Sequence, residues 1–144
     1  MTDHIEIINL INSYSRYADR REAKKQSELF TTNAVVEVYQ GEPDKSKPIQ
    51  ILNGRNELEQ GFLGLVNYDL TTHFNGQSTL AINNDSATGE TYCLAHHLRT
   101  EQEQRTLIIM SIRYYDTFVK EDKKWFFSER KLIIDWTDSR ISKP

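Results

Sequence analysis

Cysteine is almost absent. Cys93 is the only one in 144 residues, so no internal disulfide can form and no Cys-x-x-Cys redox or metal motif exists. Nothing in this usage points to an oxidising compartment. Long apolar runs are also missing. The longest spans four residues, Leu107 to Met110, far short of the roughly 20 a membrane-crossing helix needs. Met1-Thr2-Asp3-His4 shows no basic leader region and no apolar one, so a cytoplasmic protein without membrane contact is expected. There is no basic block: the net charge is −3 with both signs interspersed, and a nucleic-acid partner is not expected. Gly-rich phosphate loops, a Gly-x-Ser-x-Gly elbow and His pairs at helical metal spacing are all lacking. No metal and no cofactor are expected, and no internal repeat or low-complexity tract appears.

What remains is ordinary globular material, 38% hydrophobic and 27% charged. One domain over residues 1–144 is the default at this length, and it can bury a core unaided. Residues 3–19 read as an amphipathic helix with apolar residues at Ile7, Ile8, Leu10, Ile11, Tyr14, Tyr17 and Ala18. Asp3 with Glu6 forms a candidate capping box, and Asp19 with Glu22 a second one that restarts the helix over 23–30. Val35–Tyr39 is β-branched and aromatic and reads as a strand. Gly41–Pro48 is a loop, Ile49–Leu52 a short strand, and Asn53-Gly54 a break. Residues 55–66 read as a helix weakened by Gly61 and Gly64, each costing about 1 kcal/mol relative to Ala.

From residue 70 the character changes. Residues 70–82, 87–99, 105–119 and 125–136 are β-prone runs joined by short polar turns, and 139–144 reads as a loose tail. Such runs imply an antiparallel meander. Helices first and a long sheet afterwards is an α+β pattern. A strongly curved sheet of this kind can wrap the helices and leave a cavity between.

Several residues in this frame carry a resemblance. The series Tyr14, Asp19-Arg20-Arg21-Glu22, Leu29-Phe30-Thr31, Ala34, His73, Ala87 with Tyr92, Arg113-Tyr114-Tyr115-Asp116, Trp125, Arg130 and Asp135-Trp136 resembles the SnoaL-like group of the NTF2-like superfamily across nearly the whole chain. Relatives there include scytalone dehydratase, a hexachlorocyclohexane dehydrochlorinase, polyketide cyclases, ketosteroid isomerases and dioxygenase small subunits. The resemblance implies a cone-shaped α+β barrel, mostly antiparallel, with an apolar pocket, assembled as a homodimer or homotrimer. It also implies that an aspartate after the first helix orients a histidine that removes a proton from substrate; Asp19 and His73 fall at those places. Asn33, where many relatives have Asp, and the glycine-free turn Asp122-Lys123-Lys124 depart from the pattern.

Each candidate residue also has a structural use. His73 beside a carboxylate would have a pKa suited to taking a proton; alone it would be a strand-start histidine bonded to a carbonyl. Asp19 would fix the His73 tautomer, or cap the second helix. Tyr14 and Tyr17 would hold a substrate oxygen, or pack as rim aromatics. His96 and His97 alternate across a strand and cannot serve one pocket together. His97 shares parity with Ala87, Thr91, Cys93 and Ala95, small residues that suit a concave wall, and is the expected pocket residue. Arg113 and Tyr115 share a face and would bind an acidic or phenolic substrate group, or Arg113 would pair with an acid such as Asp116. Cys93 reads as a buried inert thiol.

The expected function is a cofactor-independent lyase or isomerase acting on a small hydrophobic, cyclic molecule. A non-catalytic ligand-binding or assembly module of the same fold is the alternative.

Overall fold

The apolar stripe of the N-terminal segment forms helix α1 (Asp3–Asp19), which buries Ile7, Leu10, Ile11, Tyr14, Ser15 and Ala18 on one face. The computed structural model describes residues 1–143. Thr2 caps α1 by accepting from the Ile5 N–H at 3.3 Å, so the expected Asp3–Glu6 box does not form. Asp3 instead accepts from Lys120 Nζ at 2.8 Å and Trp125 Nε1 at 2.9 Å, tying the first turn to the sheet.

Helix α2 (Ala23–Ser27) is shorter than the expected 23–30. Phe30 already belongs to strand β1 (Phe30–Gln40), because its ring stacks on Phe127 at 4.8 Å and the Phe127 N–H bonds to the Leu29 carbonyl at 3.0 Å. Tertiary pairing overrides local helix preference there. Strand β2 (Gln50–Asn53) leads into helix α3 (Gly54–Phe62) and a 3₁₀ turn over Leu63–Asn67. Strands β3 (Leu70–Asn83), β4 (Ser86–Glu101), β5 (Gln104–Glu121) and β6 (Lys124–Ile141) follow. The expected loose tail is overturned in part: residues 139–141 pair with β5, and the Ser142 N–H bonds to Arg105 O at 2.9 Å. Residue 144 lies outside the described residues.

The sheet order is β2-β1-β6-β5-β4-β3. Every pairing is antiparallel except β1 with β6. Register shifts interrupt β1 with β6 after Phe30, β3 with β4 after Asn75, and β5 with β6 after Ser111 and Thr117; such bulges bend a strand and sharpen its twist. The expected barrel is therefore an α+β fold with a curved but unclosed sheet. Its edges are β2 and β3, and helices rather than hydrogen bonds fill the gap: α1 packs on β3, and α3 packs on β1 and β2. The core between the layers is aromatic, with Phe30, Tyr114, Phe118 and Phe127 almost fully buried.

Two of the hairpin turns are built without glycine at positions that favour it. Gln102-Glu103 has φ of 50° and 65°, and Asp122-Lys123 has 48° and 67°. Both pairs occupy the left-handed region that two-residue hairpins need and that Asn-Gly suits better. Replacing Asp122-Lys123 by Asn-Gly is expected to stabilise the protein by about 1 kcal/mol. The check is a rise in Tm of roughly 2–4 °C on thermal denaturation.

Candidate functional site

Helix α1 ends in a Schellman arrangement. The Glu22 N–H bonds to Tyr17 O at 2.9 Å and the Arg21 N–H to Ala18 O at 3.2 Å. Arg21 occupies the left-handed position with φ of 61°, where glycine is usual and any other residue is strained by about 1–2 kcal/mol. Its guanidinium accounts for the choice. Nη1 donates to the Thr71 hydroxyl at 2.8 Å and to Ala18 O at 3.1 Å, and Nη2 reaches Tyr68 O at 3.4 Å.

The same turn aims Asp19 at β3. Alternation puts Thr71 and His73 on the face of β3 that meets α1. The Thr71 hydroxyl donates to Asp19 Oδ1 at 2.9 Å, the His73 backbone N–H donates to Oδ2 at 2.9 Å, and His73 Nδ1 lies 2.6 Å from Oδ1. Asp19 does not cap α2, whose N-terminus has no side-chain cap. Burial acts to raise the Asp19 carboxyl. Hydrogen bonds from the His73 side chain and backbone and from Thr71 outweigh it, so the carboxyl sits below its ordinary value.

These contacts settle the tautomer. The Thr71 hydroxyl oxygen accepts from Arg21, so its own hydrogen points to Asp19. An ionised carboxylate only accepts, so His73 Nδ1 carries the hydrogen that faces it. In the neutral ring Nε2 then bears the lone pair, and among the described residues no group hydrogen-bonds it. The His73 side chain is only 8% exposed, yet it lines both a polar depression beside Asn12 and Asn75 and an inner cavity of about 230 Å³.

That cavity lies between α1, α2, α3 and the concave sheet face, with Val36, Val38, Leu52, Phe62, Ile112 and Leu132 supplying much of its apolar wall. Its size is slightly below the ~300–1,000 Å³ of drug-sized pockets, which suits a compact ring. Tyr14 is buried there, edge-on to Phe62 and Tyr114. Burial pushes its phenol up against the opposing charge of Arg130, so the hydroxyl stays protonated as a hydrogen-bond donor. His97 is 4% exposed and lines the cavity, its ring centroid 5.9 Å from that of His73. Its Nδ1 is buried without a partner. Burial and then the neighbouring His73 lower its pKa to about 4, so His97 is neutral at physiological pH.

Three expected site residues lie elsewhere. Tyr17 sits on the flank of the α1 stripe, under Lys25 Nζ at 5.9 Å, and does not line the cavity. Arg113 and Tyr115 face away from it, because Ile112 and Tyr114 take the inward positions of β5. Arg113 is held by Asp135 through two bonds of 2.7 Å, by Glu42 at 2.6 Å and by the Tyr115 hydroxyl. Its partners are therefore these groups rather than a substrate or Asp116. Conversely, Arg21 and Thr71 were missed; the Thr-x-His spacing on one strand face was the available signal. Burial lifts the Cys93 thiol to about 11, so no thiolate is supplied. Among the described residues no three His, Cys, Asp or Glu side chains gather as a metal site, and no helix is long and apolar enough to cross a membrane.

The folded pKa of His97 is depressed below its unfolded value near 6.5. Protonation therefore favours the unfolded chain: the stabilisation is complete above pH 6.5 and is lost as pH falls towards 4. A His97→Gln variant is expected to show a smaller Tm loss between pH 7 and pH 4.5 than the wild type, measured by calorimetry at both pH values.

The profile of the SnoaL-like domain matches residues 1–131. No curated protein matches the chain by sequence. Solved structures do. A protein described as a scytalone dehydratase from Novosphingobium aromaticivorans is 23% identical with a TM-score of 0.82, covering 99% of this chain and 92% of its own. A hexachlorocyclohexane dehydrochlorinase, LinA type 2, is 17% identical with a TM-score of 0.77, covering 95% and 88%. An NTF2-like protein with a cystatin-like fold from N. aromaticivorans is 21% identical with a TM-score of 0.66, covering 92% and 81%. At these identities the likeness is one of fold.

Proposed function

The chain belongs to the SnoaL-like domain family, and from that premise we propose that it is a cofactor-independent lyase or isomerase acting on a small hydrophobic, cyclic molecule bound in the inner cavity. The observation that carries this reading is the 2.6 Å contact of His73 Nδ1 with Asp19, made where His73 also lines an apolar cavity. Two structural neighbours carry names of eliminations, one a dehydratase and one a dehydrochlorinase, and both names agree with it.

In the proposed reaction, His73 Nε2 takes a proton from a substrate carbon. The electron pair of that C–H bond becomes the new C=C bond as the leaving group departs from the adjacent carbon with its own bonding pair. The imidazolium, stabilised by Asp19, then gives its proton to the leaving group, which completes an elimination. In the isomerase variant no group departs: the C–H electron pair is held on an adjacent conjugated carbonyl as an enolate, and the imidazolium returns the proton to another carbon of the same molecule. Neutral His97 and the Tyr14 hydroxyl, which line the cavity, would steady a substrate oxygen.

The test is solvent-deuterium exchange. Cyclic ketones bearing a β-hydroxyl are incubated in D₂O with wild type and with His73→Asn, and NMR follows loss of the α-proton and formation of the enone. Catalysed exchange that vanishes in the variant is expected; equal rates in both proteins would overturn the reading.

A further inference from the structure

Gln26 is buried where glutamine rarely is. It projects from α2 with 2% exposure and lines the inner cavity. Among the described residues its side-chain amide hydrogen-bonds no protein group. Buried polar groups nearly always find partners, and for Gln26 the cavity is where one can sit. Leu or Met would fill the same space with no polar group to satisfy. Its neighbour Ser27, equally buried, does satisfy itself by donating to Lys24 O at 2.7 Å. The difference is that Gln26 opens onto the cavity.

The cavity has a second trait. None of the residues lining it is Asp, Glu, Lys or Arg. Arg130 stacks behind the Tyr14 and Tyr114 rings at 4.2 and 3.7 Å, with Nε and Nη2 on Asp116 and Nη1 buried without a partner. A charged ligand would therefore lose its hydration against a wall that carries no carboxylate, ammonium or guanidinium.

We propose that Gln26 is the polar recognition group of the cavity, selecting an uncharged cyclic molecule that carries a carbonyl or hydroxyl oxygen. This rests on the cavity being the substrate's seat, as in the reading above. The amide N–H donates to a carbonyl oxygen. Towards a hydroxyl, the amide both donates and accepts. A carbonyl held this way also acidifies the neighbouring C–H that His73 would attack. Gln26 thus determines which molecule is bound and how it is turned.

Isothermal titration with phenol, toluene and benzoate tests it, since the three share a ring and differ only in the oxygen and the charge. Wild type is expected to bind phenol about tenfold more tightly than toluene and to bind benzoate weakest. Gln26→Leu is expected to bring phenol and toluene together, mainly by tightening toluene, and to leave the empty protein at least as thermally stable. His73→Asn is expected to keep the phenol preference, which separates failure of recognition from failure of the catalytic reading. A phenol preference unchanged in Gln26→Leu would overturn the proposal. So would a marked loss of stability in that variant, because it would reveal a structural partner for the amide, or tighter binding of benzoate than of phenol by the wild type.

Discussion

His73→Asn is expected to lower turnover by about 10²–10⁴-fold, the usual contribution of a positioned proton acceptor, with the fold intact. The reason lies in which nitrogen is free. Nδ1 faces Asp19 at 2.6 Å, so the working lone pair is on Nε2, and an asparagine amide has no comparable base. Asp19→Asn is expected to cost nearly as much while leaving the imidazole in place. Three donors converge on the Asp19 carboxylate: the Thr71 hydroxyl, the His73 backbone N–H and His73 Nδ1. An amide has one oxygen and one NH₂. If the NH₂ faces Nδ1, the imidazole must accept there, the proton moves to Nε2 and the base is lost. If it faces the backbone N–H, two donors collide and the ring loses its orientation. Turnover in the deuterium-exchange assay, with circular dichroism as the check on folding, distinguishes these outcomes from wild type. Turnover unchanged in both variants would remove His73 and Asp19 from the chemistry, and no turnover above background in any of the three proteins would leave a ligand-binding module.

How much of this was legible in the sequence depends on distance along the chain. The long strands were readable because β-branched and aromatic residues alternate within them, and His97 could be chosen over His96 because parity with Cys93 and Ala95 is a local property. The start of β1 at Phe30 was not readable, since it is set by stacking on Phe127 in the last strand. The convergence of Asp19 and His73 came only through family resemblance; they are separated by 54 residues, and nothing local brings them together. The role of Arg21 was hidden for a different reason. Its left-handed backbone and its bond to Thr71 are both properties of the folded turn. Arg113 misled because its acidic partners come from the β1–β2 loop and from a bulged stretch of β6. Parity alone separated it from Asp116, and parity did not reveal which face was concave.

The second large effect concerns stability. Arg130 and Asp116 form a pair with both side chains at 0% exposure, bonded at 2.7 and 2.9 Å. The guanidinium also lies against Tyr114, Tyr14 and Phe127 at 3.7, 4.2 and 4.4 Å, a cage worth ~2 kcal/mol when desolvated. Removing one member of such a pair leaves a buried charge unmatched and costs about 3–5 kcal/mol. The two single changes should nevertheless differ. Burial already raises the Asp116 carboxyl despite the opposing pull of Arg130, so in Arg130→Met the acid can escape by taking a proton. That variant's stability is then retained at acid pH and is lost as pH rises through the raised folded pKa. Arg130 has no such escape, because a guanidinium keeps its proton. Asp116→Leu is therefore expected to be destabilising at every pH, and to remain the weaker of the two at pH 5. Asp116→Leu with Arg130→Met together should recover most of the loss, since two apolar groups leave no charge to solvate, though not the part owed to the aromatic cage. Urea denaturation of all four proteins at pH 5 and pH 8 reads these differences. A pair in which both single variants lose the same stability at both pH values would show that the carboxyl does not neutralise and is held as rigidly ionised as the arginine.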